Sequence, residues 1–162
     1  MRFLLYFLLL LPMAVYANIT INIDKGWQLA SVPEAIDDMS LFDNNDTVII
    51  WSFNASTQSW QGYSRDTSVQ TKITDAGYTL LKSLKPWQAF WIHSTSAWML
   101  ELQLAAKTPI SYLELKTGWN LVALPSKTVV SADLFDDMTV WKYSDNWKVH
   151  SNSSLPFPPI DE

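Results

Sequence analysis

Two histidines, His93 and His150, are the only imidazoles in the chain, and cysteine is absent. Each histidine stands in a different half of the sequence with no matched acid or nucleophile beside it. Such a residue reads as a structural histidine on a strand and not as a general base. The missing thiols remove disulfides, thiolate nucleophiles and cysteine-held metals together. No Gly-rich phosphate loop, HExxH helix or GxSxG elbow is present, and the serines are dispersed in loops. The carboxylates do recur, as Asp37-Asp38-Met39 and Asp136-Asp137-Met138, with Asp43, Asp46 and Asp145 in turn-like stretches. Carboxylates so placed cap helices and close turns. Calcium needs several converging oxygens, and the run "DNND" from Asp43 to Asp46 lacks the glycine and distal glutamate of an EF-hand loop. The residue inventory therefore predicts a non-enzymatic chain with no metal site and no cofactor.

Nine tryptophans are what remains. Indole rings stack on sugar faces and anchor protein interfaces, and they also fill the cores of small β domains. Separating these uses requires the elements that carry the rings, and an internal repeat exposes those elements. "GWQLASVP" from Gly26 to Pro33 returns as "GWNLVALP" from Gly118 to Pro125. The match extends to Ile21 with Leu113, Ile23 with Leu115, Trp27 with Trp119 and Leu29 with Leu121, at a constant offset of 92 (118 − 26). Phe42 with Phe135, Trp51 with Trp141, Trp60 with Trp147 and Ser64 with Ser151 follow at slightly shorter or longer offsets, which short loop changes explain. A period this long marks a duplicated domain, beyond the usual range of solenoid repeats.

Within each copy the hydrophobic period is two. Ile19, Ile21 and Ile23 alternate with Thr20, Asn22 and Asp24, the pattern of a strand with one buried face. Asp24-Lys25-Gly26 and Lys116-Thr117-Gly118 put glycine third, which predicts three-residue hairpins with Gly26 and Gly118 left-handed. Pro33 and Pro125 end the returning strands. "EAIDDMSLF" reads as a short helical or irregular crossing, "TVIIWSF" and "WQGYS" as strands, and "ITDAGYTLLKSL" as a helical turn or two. "AFWIHS" and "AWMLELQL" are strong strand signals. In the second copy "TVWKYS" and "WKVHS" are the strand equivalents.

These readings give an all-β protein with short helical turns, made of two homologous antiparallel β modules in tandem. Residues 18–104 form the first module, 105–110 a linker and 111–162 a second, incomplete module. The second copy stops before supplying the last two strands of the first. Either the chain is a truncated piece, or an open edge near Trp141 and Trp147 recruits a strand and the protein self-associates. On that view Leu155 to Pro159, held extended by Pro156, Pro158 and Pro159, lies loosely against the module.

The first residues, "MRFLLYFLLLLPMAVYA", combine Arg2, an apolar run and small groups before Ala17, which predicts a signal peptide over residues 1–17. The run is shorter than the ~20 apolar residues of a spanning helix, and no lipobox cysteine follows. No second membrane segment is expected once the leader is removed. The net charge of −5 supplies no polybasic footprint, so nucleic acid and anionic membrane are disfavoured partners. Four sequons, at Asn18, Asn45, Asn54 and Asn152, read as chance in Ser/Thr-rich loops.

The run Gly-Trp-Asn-Leu, the proline four residues after that leucine, the Trp-centred strand, the "WxxYS"-like strand, "AG" before a Leu-rich turn and the final aromatic-Trp strand resemble the tandem Trp-rich β repeats of uncharacterised secreted or surface proteins of bacteria. The resemblance covers Ile19 to Leu104 and Ser111 to Ser151. It implies an extracytoplasmic, modular β protein and carries no catalytic residues over. Where that pattern has glycines before the aromatic pair, this chain has Trp87-Gln88-Ala89 before Phe90-Trp91.

The repeat then sorts the tryptophans. Trp27, Trp51 and Trp60 recur as Trp119, Trp141 and Trp147 and are assigned to a shared core. Trp87 and Trp98 have no second-copy equivalents. Trp87 follows a proline at a turn in a glycine-like position and is the leading exposed contact, with Trp98 beside it as a ligand or partner contact. The expected partner is a protein at the cell surface, met by a structural or adhesive module; a glycan held on exposed aromatics is the alternative.

Overall fold

A computed structural model describes residues 17–104, 114–123, 139–144 and 146–151. Residues 1–16, most of the expected leader, residues 105–113 and the stretch from Leu155 to Pro159 lie outside the described residues. The chain divides into two compact units, Met1–Leu124 and Pro125–Glu162. Residues 114–123, which the repeat alignment gives to the second module, fall in the first unit.

The fold is all-β with short helical turns. Strands β1 (Ala17–Ile23), β2 (Gly26–Ser31), β3 (Thr47–Asn54), β4 (Ser59–Tyr63), β5 (Thr79–Leu80), β6 (Ala89–Ser94) and β7 (Trp98–Leu104) build the first unit. Pairing gives a two-stranded ribbon β1-β7 and a five-stranded sheet in the order β2-β6-β3-β4-β5.

The expected hairpin at Gly26 is not what forms. β1 and β2 do not pair with each other: β1 pairs with β7 (Ile21↔Leu100) and β2 pairs with β6 (Leu29↔Trp91). Residues 17–31 are one long bent strand running antiparallel to an equally bent 89–104, and the bend carries both from one sheet to the other. Corners of this kind let two sheets share strands. Gly26, at φ 96°, is left-handed as the sequence predicts, but it serves a corner and not a turn-back. Gln28 braces the corner from one turn away: the Asp24 N–H donates to its Oε1 at 2.7 Å, and its Nε2 donates to the Asn22 carbonyl at 2.8 Å.

The core lies between the ribbon and the inner face of the large sheet. Ile23, Leu100 and Leu102 from the ribbon meet Ile50, Phe90 and Ile92 from the sheet, closed by Val32, Ile36, Met39, Phe42, Leu81 and Leu84. Phe42 and Phe90 meet edge to face at 5.2 Å, the geometry aromatic quadrupoles favour. The loop that supplies Ile36 and the loop that supplies Leu84 are tied by a reciprocal pair of 2.8 Å backbone hydrogen bonds.

A 3-10 turn, Met39–Phe42, occupies the predicted crossing. Asp38 caps it by accepting from the Ser40 N–H at 2.9 Å, so the recurring Asp-Asp-Met pair has its local role here. The bonds from the Ser40 hydroxyl and N–H hold the Asp38 carboxyl below its ordinary range.

Helix α1 (Thr67–Asp75) begins ahead of the predicted "ITDAGYTLLKSL" segment and ends where that segment starts to unwind, at Gly77 with φ 84°. Its stretch is rich in Thr and Ser, weak helix formers, and tertiary packing decides it. Asp66 caps it through the Ser68 N–H at 2.8 Å. Ile73, its buried residue, docks over Gly62 of β4, where a Cβ would stand 2.9 Å from Ile73 Cδ1 and 3.0 Å from Trp51. The helix is the crossover between parallel β4 and β5 (Gln61↔Thr79), and parallel neighbours require such a connection.

In the second unit β8 (Thr139–Ser144) pairs with β9 (Asn146–Ser151). Its register places Tyr143 opposite Trp147 and Trp141 opposite Val149; the β3-β4 hairpin likewise places Phe53 opposite Trp60 and Trp51 opposite Gly62. Among the described residues β8 and β9 pair only with each other.

Candidate binding surface

The two faces of the five-stranded sheet differ. Alternation sends Ala30, Ile50, Ser52, Phe90 and Ile92 inward, all buried. The outer face receives the opposite parity, and cross-strand register lines its aromatics up in rows. One row runs Leu29, Trp91, Trp51, Gly62; a second places Trp27 and Ile49 on either side of His93; a third pairs Phe53 with Trp60.

Part of this face is covered. Ile73 and Tyr78 close over Gly62 and Trp51, with Trp51 and Tyr78 edge to face at 5.2 Å. The remainder is open: Trp27 is 56% exposed and Trp60 37% exposed, while Leu29, Ile49, Phe53 and Trp91 are half-buried. Trp27 leans on His93 at 4.9 Å and 38°, and Phe53 meets Trp60 at 5.4 Å and 73°. His93 thus acts as a flat support for an exposed indole.

These positions correct the assignment of Trp27, Trp60 and Trp119 to a shared core, and they put Trp51 on the outer face, half-buried beside Tyr78. Trp27 sits on the solvent side of its strand, and Trp119 is 62% exposed. The side chain after each tryptophan, Gln28 or Asn120, braces the backbone four residues earlier and holds the segment with the indole outward. Lys116 N–H donates to Asn120 Oδ1 at 2.8 Å, as Asp24 N–H does to Gln28 Oε1. The signal for this was the amide residue following Gly-Trp in both copies.

Trp98 lies on the inward side of β7, opposite Ile23, half-buried against the core. Its Nε1 is buried and finds no partner among the described residues. It is not on the outer face. Trp87 is half-buried where an exposed ring was expected, and it holds φ 63°, a left-handed conformation uncommon for a residue other than glycine. Its backbone works at a junction: its N–H donates to the Val32 carbonyl at 2.8 Å, and its carbonyl accepts from Ala123 N–H at 3.3 Å.

That junction is made with residues 114–123. Ala89 N–H donates to the Leu121 carbonyl at 3.1 Å, Gln88 bridges to Val122, and the Ser31 hydroxyl donates to the Ala123 carbonyl at 3.3 Å. At the other end the carboxamide of Gln58, itself at φ 52°, grips Gly118-Trp119. Trp119 N–H donates to its Oε1 at 2.8 Å, while its Nε2 reaches the Trp119, Thr117 and Ala55 carbonyls at 3.0, 3.3 and 2.6 Å. Gly118 has φ 92°, and a Cβ there would stand 2.5 Å from Gln58 Oε1. Gln58 carried no signal in the sequence, because the Thr117 and Trp119 groups it holds are backbone atoms 59 and 61 positions away.

The ionisable groups near these surfaces are structural. Tyr63 donates to Asp43 at 2.7 Å, and burial followed by the Asp43 carboxylate pushes the Tyr63 hydroxyl above the ordinary tyrosine range. Asp46 sits below its usual range through the hydroxyls of Ser96 and Thr95. Among the described residues no three His, Cys, Asp or Glu side chains converge as metal ligands, and no helix is long and apolar enough to cross a membrane. No protein family, curated protein or solved structure matches the chain.

Proposed function

We propose that this chain is an exported, non-enzymatic β module of a tandem-repeat protein that holds a protein partner at the cell surface through the outer face of its five-stranded sheet. The observation that carries the reading is Trp27, a large apolar side chain on a regular strand, 56% exposed and backed by His93, at the open end of aromatic rows. Exposed apolar patches of this kind mark interaction sites, and tryptophan is enriched among the residues that dominate protein interfaces. The ring pairs of this face stand at 38°, 73° and 78° to one another. A protein surface can interdigitate with such tilted rings; a flat polysaccharide prefers a coplanar strip.

The leader over residues 1–17 supports export, and the shared left-handed Gly-Trp segments and hairpin register support duplication. The test is binding of the fluorescently labelled 18–162 chain to bacterial and animal cells. Proteolysis of the cell surface abolishes binding while periodate oxidation of glycans leaves it intact. Binding that survives proteolysis and is lost to periodate establishes the glycan reading instead.

A further inference from the structure

The grip on residues 117–123 has the features of a receptor site, and it lies at the end of the β3-β4 hairpin, apart from the exposed Trp27. We propose that Gln58, Trp87, Gln88 and Ala89 form a docking site for Gly-Trp-Asn-Leu segments, filled within this chain by its own residues 117–123 and open to the same segment of a second copy.

Three observations carry this. Recognition is directed at backbone: Gln58 pairs with both the N–H and the carbonyl of Trp119, and Ala89 and Trp87 add the Leu121 and Ala123 bonds of a short strand addition. Main-chain pairing supplies affinity in that mode. Selectivity comes from Gly118: its left-handed φ strains any side chain, and a Cβ there would push the Gln58 carboxamide out of its bonds to the segment. Of the four glycines only Gly26 and Gly118 precede tryptophan, and Gly26-Trp27 is already committed to β2. The Gly118 segment is the one that can be exchanged. Finally, the seated segment is shallow: Leu115 and Trp119 are exposed, and it is joined by an isolated bridge and not a full ladder. Segments with few buried contacts open locally at small cost. A tethered segment competes at roughly millimolar effective concentration, so exchange between copies belongs to crowded conditions.

The test is a titration of the 15N-labelled 18–162 chain carrying Gly118→Ala with an unlabelled peptide spanning residues 114–123. The expected result is saturable shifts of the Gln58 side-chain amide and the Ala89 N–H, with β3 and β6 otherwise unmoved. A peptide that itself carries Gly118→Ala binds about tenfold more weakly, the equivalent of placing a Cβ in the left-handed region. The same titration of the unaltered chain reads displacement: its own Trp119 and Leu121 signals move as peptide reaches millimolar concentration. This second readout stands even where Gly118→Ala prevents folding. Absence of shifts in either chain, or equal binding of the two peptides, overturns the proposal. Trp27→Ala leaves the titration unchanged, which separates this site from the outer-face partner surface.

Discussion

The two Gly-Trp segments share a conformation and differ in surroundings. Gly26 and Gly118 hold φ 96° and 92°, and each is braced by an amide side chain two positions on. Around Gly26 a Cβ would meet nothing within 4 Å; around Gly118 it would strike Gln58. The first segment is a full sheet strand at a corner between sheets, and the second is a short graft on a strand end. A segment of fixed local geometry can therefore serve either as framework or as ligand, and the neighbouring backbone decides which. Both uses leave the indole facing solvent.

The largest expected effect separates the framework from the outer face. Phe90→Ala, in the centre of the core beside Phe42, costs about 3–5 kcal/mol of unfolding free energy in urea. Trp27→Ala costs about 1 kcal/mol, since it removes one partly exposed stacking contact. Comparable losses for the two would place Trp27 in the framework after all.

Next in size is the pair of glycines. Gly26→Ala costs about 1–2 kcal/mol of global stability, because the left-handed corner lies inside the strand that links both sheets. Gly118→Ala acts locally: amide exchange speeds at Trp119, Ala123 and Ala89 while the unfolding midpoint moves less than for Gly26→Ala. Hydrogen exchange and urea melts on the same samples sharpen or break the contrast. Gln28→Ala follows, at about 1 kcal/mol for two lost corner bonds partly replaced by water.

The smallest effect concerns acid. Hydrogen bonds from the Ser68 hydroxyl and N–H hold the Asp66 carboxyl below its ordinary range. A carboxyl with a lowered folded-state pKa stabilises the fold above the unfolded-state value, and that contribution fades as pH falls through the folded-state value. The unfolding midpoint of the intact chain accordingly declines in acid, and Asp66→Ala flattens part of the decline.

Much of this was legible in the residues. Alternation at Ile19, Ile21 and Ile23 gave β1 its buried face, and the β-branched and aromatic runs gave β3, β6 and β7. Gly26 and Gly118 take the left-handed conformations their positions called for, and Trp87, for which no conformation was expected, is left-handed as well. Strand partners were not legible, because a glycine after Asp-Lys fits a corner as well as a hairpin and the distant β7 decides between them. Helix α1 was misplaced because Thr67–Asp75 has little intrinsic preference, and Gly62 beneath Ile73 supplies the reason to fold. The recurrence of Gly-Trp at Trp27 and Trp119 misled the core assignment: a recurring residue can stand on the solvent side of its segment as readily as in a core. Gln58 was invisible because it recognises backbone.

The central claim is that the open aromatic face is for contact and not for holding the fold. Its most direct test is the affinity of labelled 18–162 for protein-bearing cell surfaces, compared between the unaltered chain and Trp27→Ala at a temperature where both are folded. The account predicts about a tenfold loss of affinity, the scale of a hot-spot truncation, with circular dichroism unchanged. Unaltered binding by Trp27→Ala would contradict it.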